Sequence, residues 1–197
     1  MASALVVLGA YLLGSMPFGY WVVLLLKHED IRQVGSGNIG ATNVWRTYGK
    51  AYGVPIVLLD VAKGFVPALV GTLVANELVG ALAGGAAMLG HWRPLFLRFQ
   101  KGGKTVATAG GAFLGIAPLV GLIGVVIWIG TFVATRYASV ASMVTALAVP
   151  FVALALDEPW PVVVFAALAA AAVLVLHRSN IARLRSGTES RFHLRRA

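Results

Sequence analysis

The sequence contains no cysteine. Disulfides, thiolate nucleophiles and cysteine-held metals are therefore excluded. Charge is almost as scarce: only 12% of the 197 residues are charged, while 59% are hydrophobic. With a mean hydropathy of +0.85, that balance does not suit a soluble domain and predicts an integral membrane protein. Acidic residues are the rarest charged group, 7 against 16 lysines and arginines, for a formal charge of +9. The polar surface should favour anions, such as acidic headgroups or phosphorylated metabolites. Nucleic acid is not expected as a partner, because most of the chain is lipid-soluble. No internal repeat is evident, and no histidine or carboxylate set has metal-ligand spacing, so neither metal nor cofactor is expected.

What remains is a string of apolar runs. They predict an all-α fold of about seven transmembrane helices, near residues 2–26, 53–75, 77–92, 105–117, 119–135, 137–156 and 160–177. The third and fourth are short, and a five-helix version with two re-entrant pieces would preserve the sidedness. The first run is too long for a signal-peptide core and lacks a basic leader, so it reads as a retained helix. Loops 27–52 and 93–104, position 136 and the tail 178–197 hold every lysine and arginine except Lys63. The alternate turns carry Glu77, Asp157 and Glu158. Such asymmetry puts the N-terminus outside and the C-terminus in the cytoplasm. The whole chain, 1–197, reads as one polytopic domain.

Within the first basic loop stands GSGNIGATNVWRTYG, residues 35–49. Gly35, Gly37 and Gly40 match a dinucleotide fingerprint, but an apolar helix precedes them where a strand is required, so that reading fails. The local physics survives: glycines let N–H groups approach an anion, and a helix start carries partial positive charge. The spacing predicts an amphipathic helix with Asn38, Thr42 and Arg46 on one arc, widened by Asn43 and Thr47. Ala41, Val44, Trp45 and Tyr48 form the opposite face, suited to the membrane interface. Hydroxyls, amides and one arginine suit a phosphate or carboxylate better than a plain anchor.

FQKGGKTVAT, residues 99–108, resembles a P-loop, but Arg98 stands where the first glycine belongs. A Gly102–Gly103 turn remains, presenting Lys104 and Thr105 at a helix start. Asp60 and Lys63 lie inside the second run, where each charge costs about 2.5–3.5 kcal/mol on insertion scales. Spaced i, i+3, they can pair, or reach a site from below. His91 ends the third run. His177 and Asn180 follow the last, on one side of a helix. Ser139 and Ser142 near the start of the sixth read chiefly as packing hydroxyls. Apart from the Asp60–Lys63 pair, every polar cluster falls on the basic side. That arrangement suits an enzyme joining a hydrophilic to a lipid-soluble substrate. The alternatives are a transporter or flippase for a phosphorylated or lipid solute, and a non-catalytic lipid-binding scaffold.

GSMPFGY, GSGNIGATNVWRTYG, DVAKG, GHWRP…FQKGGKTVAT and HRSNIARLRSGTE, in that order from about residue 14 to 189, resemble the motifs of the bacterial acyl-phosphate-dependent glycerol-3-phosphate acyltransferases, the PlsY family. Two departures stand out: one extra residue before Gly102, and Thr105 where the family usually has glycine. The resemblance implies a multi-pass plasma-membrane enzyme of phospholipid biosynthesis, with its site facing the cytoplasm. Acyl phosphate would donate its acyl group to the 1-hydroxyl of glycerol 3-phosphate, giving lysophosphatidic acid and phosphate. Membrane lipids surround such an enzyme, and a soluble acyl-phosphate-forming enzyme is a conceivable partner. The His-x4-Asp signature of other acyltransferases is lacking in the family and here. Arg46 and Lys104 are expected to neutralise phosphates. Ser36, Asn38, Thr42, Asn43 and the loop N–H groups should fix oxygens, with Gly35, Gly37, Gly40, Gly102, Gly103 and Thr105 shaping the two loops. Asp60, Lys63 and Ser142 are further binding candidates. His177 and Asn180 should help hold glycerol 3-phosphate. The base could be His91, His177 or the substrate phosphate, and an acyl-enzyme on Ser36 is a lesser option.

Overall fold

The computed structural model describes residues 1–192; the end of the basic tail, with Arg195 and Arg196, lies outside the described residues. Among the described residues there are ten α-helices, two 3-10 turns and no strand. The helices are α1 (Ala2–Gly14), α2 (Phe18–Lys27), α3 (Ala41–Tyr48), α4 (Lys50–Val74), α5 (Glu77–Trp92), α6 (Val106–Ile116), α7 (Pro118–Thr135), α8 (Ala138–Ala155), α9 (Trp160–Leu176) and α10 (Arg178–Arg185). They form two compact units, Met1–Pro118 and the chain from Leu119 onward.

All seven apolar runs are helical, but they are not seven equal spans. The first is broken: α1 ends at Gly14, Pro17 lacks the N–H that would continue it, and α2 restarts at Phe18. Among the described residues, four stretches are long and apolar enough to cross a membrane: Ala2–Lys27 taken across its break, Lys50–Val74, Pro118–Thr135 and Ala138–Ala155. A fifth counts if α9 is joined to α10 across their 54° bend. At 1.5 Å per residue, α5 and α6 reach only about 24 and 17 Å, short of a ~30 Å hydrocarbon core. Leucines and valines left uncovered along the long helices, such as Leu58, Leu73, Val126 and Val133, are what a lipid-facing surface requires.

Small residues set the packing in the first unit. A Cβ on Gly111 would overlap the Val61 carbonyl, and one on Gly64 the Thr108 carbonyl. The backbones of α4 and α6 therefore touch. α5 likewise lies on α1, with Gly14 against Ala87 and Gly90 against the Tyr11 carbonyl. The Tyr11 hydroxyl donates to the Arg93 carbonyl at 2.8 Å, tying α1 to the loop after α5. Without a hydrophobic gain between helices in lipid, such contact supplies the dispersion energy that holds them.

A second core lies beneath the glycine-rich loop. Val23, Ile31, Ile39, Ala41, Val44, Ile56 and Leu97 bury one another there. The apolar face of α3 thus splits: Ala41 and Val44 pack on protein, and only Trp45 among the large apolar residues of that face stays exposed. This helix is a bracket between loop and bundle more than an interfacial anchor.

Gly111→Val puts a branched side chain where no backbone can yield. A loss of about 1–3 kcal/mol, typical of overpacking, is expected as a lower thermal midpoint of the purified protein. An unchanged midpoint would mean that α4 and α6 are not in this contact.

Candidate active site

The glycine-rich loop is built around one buried amide. Asn43, 2% exposed, sits in the first turn of α3. Its Oδ1 accepts the Ser36 N–H at 2.9 Å, while its Nδ2 donates to the Val34 and Asn38 carbonyls at 3.0 Å each. One side chain therefore clamps both arms of the loop. The clamp leaves no room at Gly35, where a Cβ would meet Asn43 Oδ1, and Gly35 and Gly37 adopt φ of +60° and +67°. Glycine takes that left-handed backbone at no steric cost. Asn43 therefore shapes the loop from within, where the sequence suggested a contact to substrate.

Asn38 precedes α3 and is not on its surface arc. Its Oδ1 accepts the Gly40 N–H at 2.7 Å, and its Nδ2 is buried with no acceptor. A buried donor without a partner costs free energy unless something accepts from it. Ser36 and Thr42 are exposed, and Arg46 is half-buried in the last turn of α3.

The second loop is stitched to the end of α5. Gly102 and Gly103 N–H groups donate to the Trp92 and His91 carbonyls at 2.8 and 2.9 Å. The His91 ring lies so close under Gly103 that a Cβ there would overlap it. Lys104 follows directly, half-buried, and Thr105 leads into α6. Arg32 joins the two loops: it grips Asp30 with Nε and Nη2 and donates to Gln100 Oε1 at 2.6 Å. The hydrogen bond from Arg32 holds the Asp30 carboxyl below its ordinary range. Nearby, the Tyr48 hydroxyl donates to Glu29 at 2.7 Å, and that bond pushes its pKa up to about 12. Arg32 is therefore a latch between loops.

The Asp60–Lys63 pair and His91, separate from it in the sequence reading, meet in the bundle. Lys63 Nζ lies 2.7 Å from Asp60 Oδ1 and 2.7 Å from His91 Nδ1, and donates to the Met16 carbonyl at 3.0 Å. All three side chains are buried.

The second unit carries its own polar cluster. Ser139 Oγ and Asn180 Nδ2 donate to Glu189 Oε1 at 2.7 and 2.6 Å, and Arg183 Nε to Oε2 at 2.7 Å. Burial raises the Glu189 pKa, but these hydrogen bonds outweigh it and leave it below the ordinary value. His177 stands at the joint of α9 and α10, its Nδ1 2.8 Å from the Val173 carbonyl. A carbonyl only accepts, so the ring proton is on Nδ1. Ser142 donates to the Ala138 carbonyl at 2.7 Å and accepts from Trp128 Nε1 at 3.2 Å. Its hydroxyl is occupied as a packing residue's would be.

The glycerol-3-phosphate acyltransferase family model matches residues 4–187. Glycerol-3-phosphate acyltransferases of Geotalea daltonii and Aquifex aeolicus are 46% and 42% identical, covering 98% of this chain and 99% and 100% of their own. The chain superposes on the crystal structure of PlsY (YgiH), an integral membrane glycerol 3-phosphate acyltransferase, in its glycerol 3-phosphate form. The TM-score is 0.93 at 42% identity, over 98% of this chain and 96% of that one. The chain belongs to the glycerol-3-phosphate acyltransferase family.

One departure from the acyltransferase motif, Thr105, has a physical reading. Thr105 takes φ +64°, is buried, and its hydroxyl has no partner. A left-handed backbone explains why glycine is usual there, and a β-branched residue in it is strained by about 1–2 kcal/mol. Just upstream, Arg98 and Phe99 also take left-handed backbones. The glycine pair keeps its bonds to α5. Sequence reasoning gave no role to Glu189, Met16 or Gln100. Glu189 had one signal: it is the sole acidic residue of the basic tail 178–197.

Thr105→Gly is expected to raise stability by about 1 kcal/mol as strain and a buried unpaired hydroxyl are removed; an equal or lower thermal midpoint would contradict this. Because its folded pKa is depressed, Glu189 stabilises above the ordinary glutamate range, and that stability is lost as pH falls through the lower folded value. Glu189→Gln should thus melt lower than the parent at pH 7, with the gap closing in acid. A gap that persists in acid would exclude the charge as its source.

Proposed function

We propose that this protein transfers a fatty acyl group from acyl phosphate to the 1-hydroxyl of glycerol 3-phosphate, giving lysophosphatidic acid and inorganic phosphate. The observation that carries the reading is the latch between the two anion-suited loops: Arg32 ties the glycine-rich loop to the segment leading to Lys104. Membership of the acyltransferase family supports the acceptor. The acyl-phosphate donor follows from the motif resemblance.

Acyl phosphate is a mixed anhydride with a good leaving group. The 1-hydroxyl oxygen attacks the acyl carbon, the carbon–oxygen bond to phosphate breaks, and phosphate departs with the electron pair. Such a reaction needs orientation and charge neutralisation more than a strong nucleophile. Arg46 and Lys104 supply cations; the Ser36, Gly37 and Gly40 N–H groups, expected to fix substrate oxygens, are instead taken up within the loop. Ser36, Thr42 and the buried Asn38 Nδ2 supply hydrogen bonds to substrate oxygens. His177 and Asn180 take polar groups of glycerol 3-phosphate. In neutral His177 the basic lone pair is on Nε2, because Nδ1 donates to Val173. Either Nε2 or a substrate phosphate oxygen receives the hydroxyl proton. The collection of lysine and arginine in the loops supports a site facing the cytoplasm.

The purified protein in lipid should release phosphate and lysophosphatidic acid together from glycerol 3-phosphate with palmitoyl phosphate, and nothing with palmitoyl-CoA. Arg46→Ala should fold and lose about 100-fold or more in turnover, in the range seen when one group stabilising transition-state charge is removed. No product with either donor, alongside uptake of glycerol 3-phosphate into vesicles, would replace the enzyme with the transporter reading.

A further inference from the structure

Lys63 is 1% exposed, in the middle of α4. An ammonium has three N–H donors, and three acceptors surround this one. Asp60 Oδ1 and His91 Nδ1 lie at 2.7 Å, and the Met16 carbonyl at 3.0 Å. That carbonyl belongs to the break between α1 and α2. The Phe18 ring centroid lies 5.5 Å from Nζ. Hydrogen bonds to Met16 and His91 and the ion pair with Asp60 hold the ammonium inside the protein, and at 1% exposure it is out of reach of a substrate phosphate.

The third acceptor has consequences beyond the ion pair. A charge pair within one helix would be complete with Asp60 alone. Because His91 Nδ1 accepts from Lys63, the imidazole proton sits on Nε2. That Nε2 edge faces Gly103, where a Cβ would overlap Nε2 and Cε1. The His91 carbonyl also accepts the Gly103 N–H at 2.9 Å. Ring and carbonyl of one residue thus set the position of Gly103, and Lys104 is the next residue along.

We propose that Asp60, Lys63 and His91 are positioning residues: Lys63 locks the His91 ring, and the ring seats the Gly102–Gly103 turn so that Lys104 is held ready for phosphate. This deepens the acyl-transfer reading above and rests on it for the role of Lys104. It moves Asp60, Lys63 and His91 out of direct contact with substrate.

Hydrogen exchange of the purified protein in detergent, read by mass spectrometry over residues 93–105, tests the proposal alongside steady-state kinetics. Lys63→Met alone would strand a buried carboxylate, so the probe is Asp60→Asn with Lys63→Met, which removes both charges. His91→Phe, which keeps a ring but cannot accept from Lys63, is the second variant. In both, exchange over 93–105 should speed up about tenfold or more, while α4 beyond Gly64 stays as protected as in the parent. In both, kcat/KM should fall at least about tenfold, most of it in kcat. Parental loop exchange would overturn the proposal. With full activity the triad would be a packing ion pair, and with activity lost it would act on substrate directly. Exchange needs no substrate, so a loop that loosens in a protein with no acyl transfer would fault the reaction and leave the positioning intact.

Discussion

A charge inside an apolar helix bundle must be matched donor by donor, and Lys63 is where the first unit meets that demand. Burying an ammonium costs several kcal/mol unless its geometry is satisfied. Asp60 supplies the opposing charge, the break at Pro17 frees a carbonyl at Met16, and His91 completes the shell. These acceptors come from three places in the chain, so α4, α5 and the α1–α2 break must be in register together. The close helix contacts at Gly14, Gly64, Gly90 and Gly111 hold them there. The small residues and the buried lysine are two sides of one constraint.

The loops obey the same accounting of polar groups. Backbone that leaves a helix loses its internal partners and must find others. In the glycine-rich loop Asn43 provides them from inside; in the second loop the carbonyls at the end of α5 do. Each loop is thereby rigid, with the Ser36, Gly37, Gly40, Gly102 and Gly103 N–H groups taken up within the protein, so an anion would meet side-chain donors. Preorganised donors of this kind suit a reaction whose main need is charge stabilisation. Thr105 is the place where the chain departs from that economy, with a left-handed backbone and a buried hydroxyl lacking a partner.

Much of this was legible in advance. The apolar runs matched helices within about three residues at their ends, because hydropathy and helix breakers act locally. The helix after Gly40 was readable from its period, and the family from its ordered motifs. The break at Pro17 was missed because the run on both sides is uniformly apolar. The loop-clamping bonds of Asn43 were not legible, because an amide on a helix looks the same whether it faces a ligand or its own loop. For Ser142 the sequence offered both a packing and a binding role, and the structure adds its bonds to Ala138 and Trp128.

By itself the sequence determined where the chain is apolar, where its positive charge collects and where glycine permits a left-handed turn. Those properties belong to single residues and their near neighbours. Only the tertiary structure decided which polar groups meet: His91 with Lys63, Arg32 with Gln100, Asn180 with Glu189. Hydrogen bonds act over about 3 Å, so a partner is chosen by how helices pack and loops close. In a bundle of short, glycine-lined helices that choice is made in three dimensions.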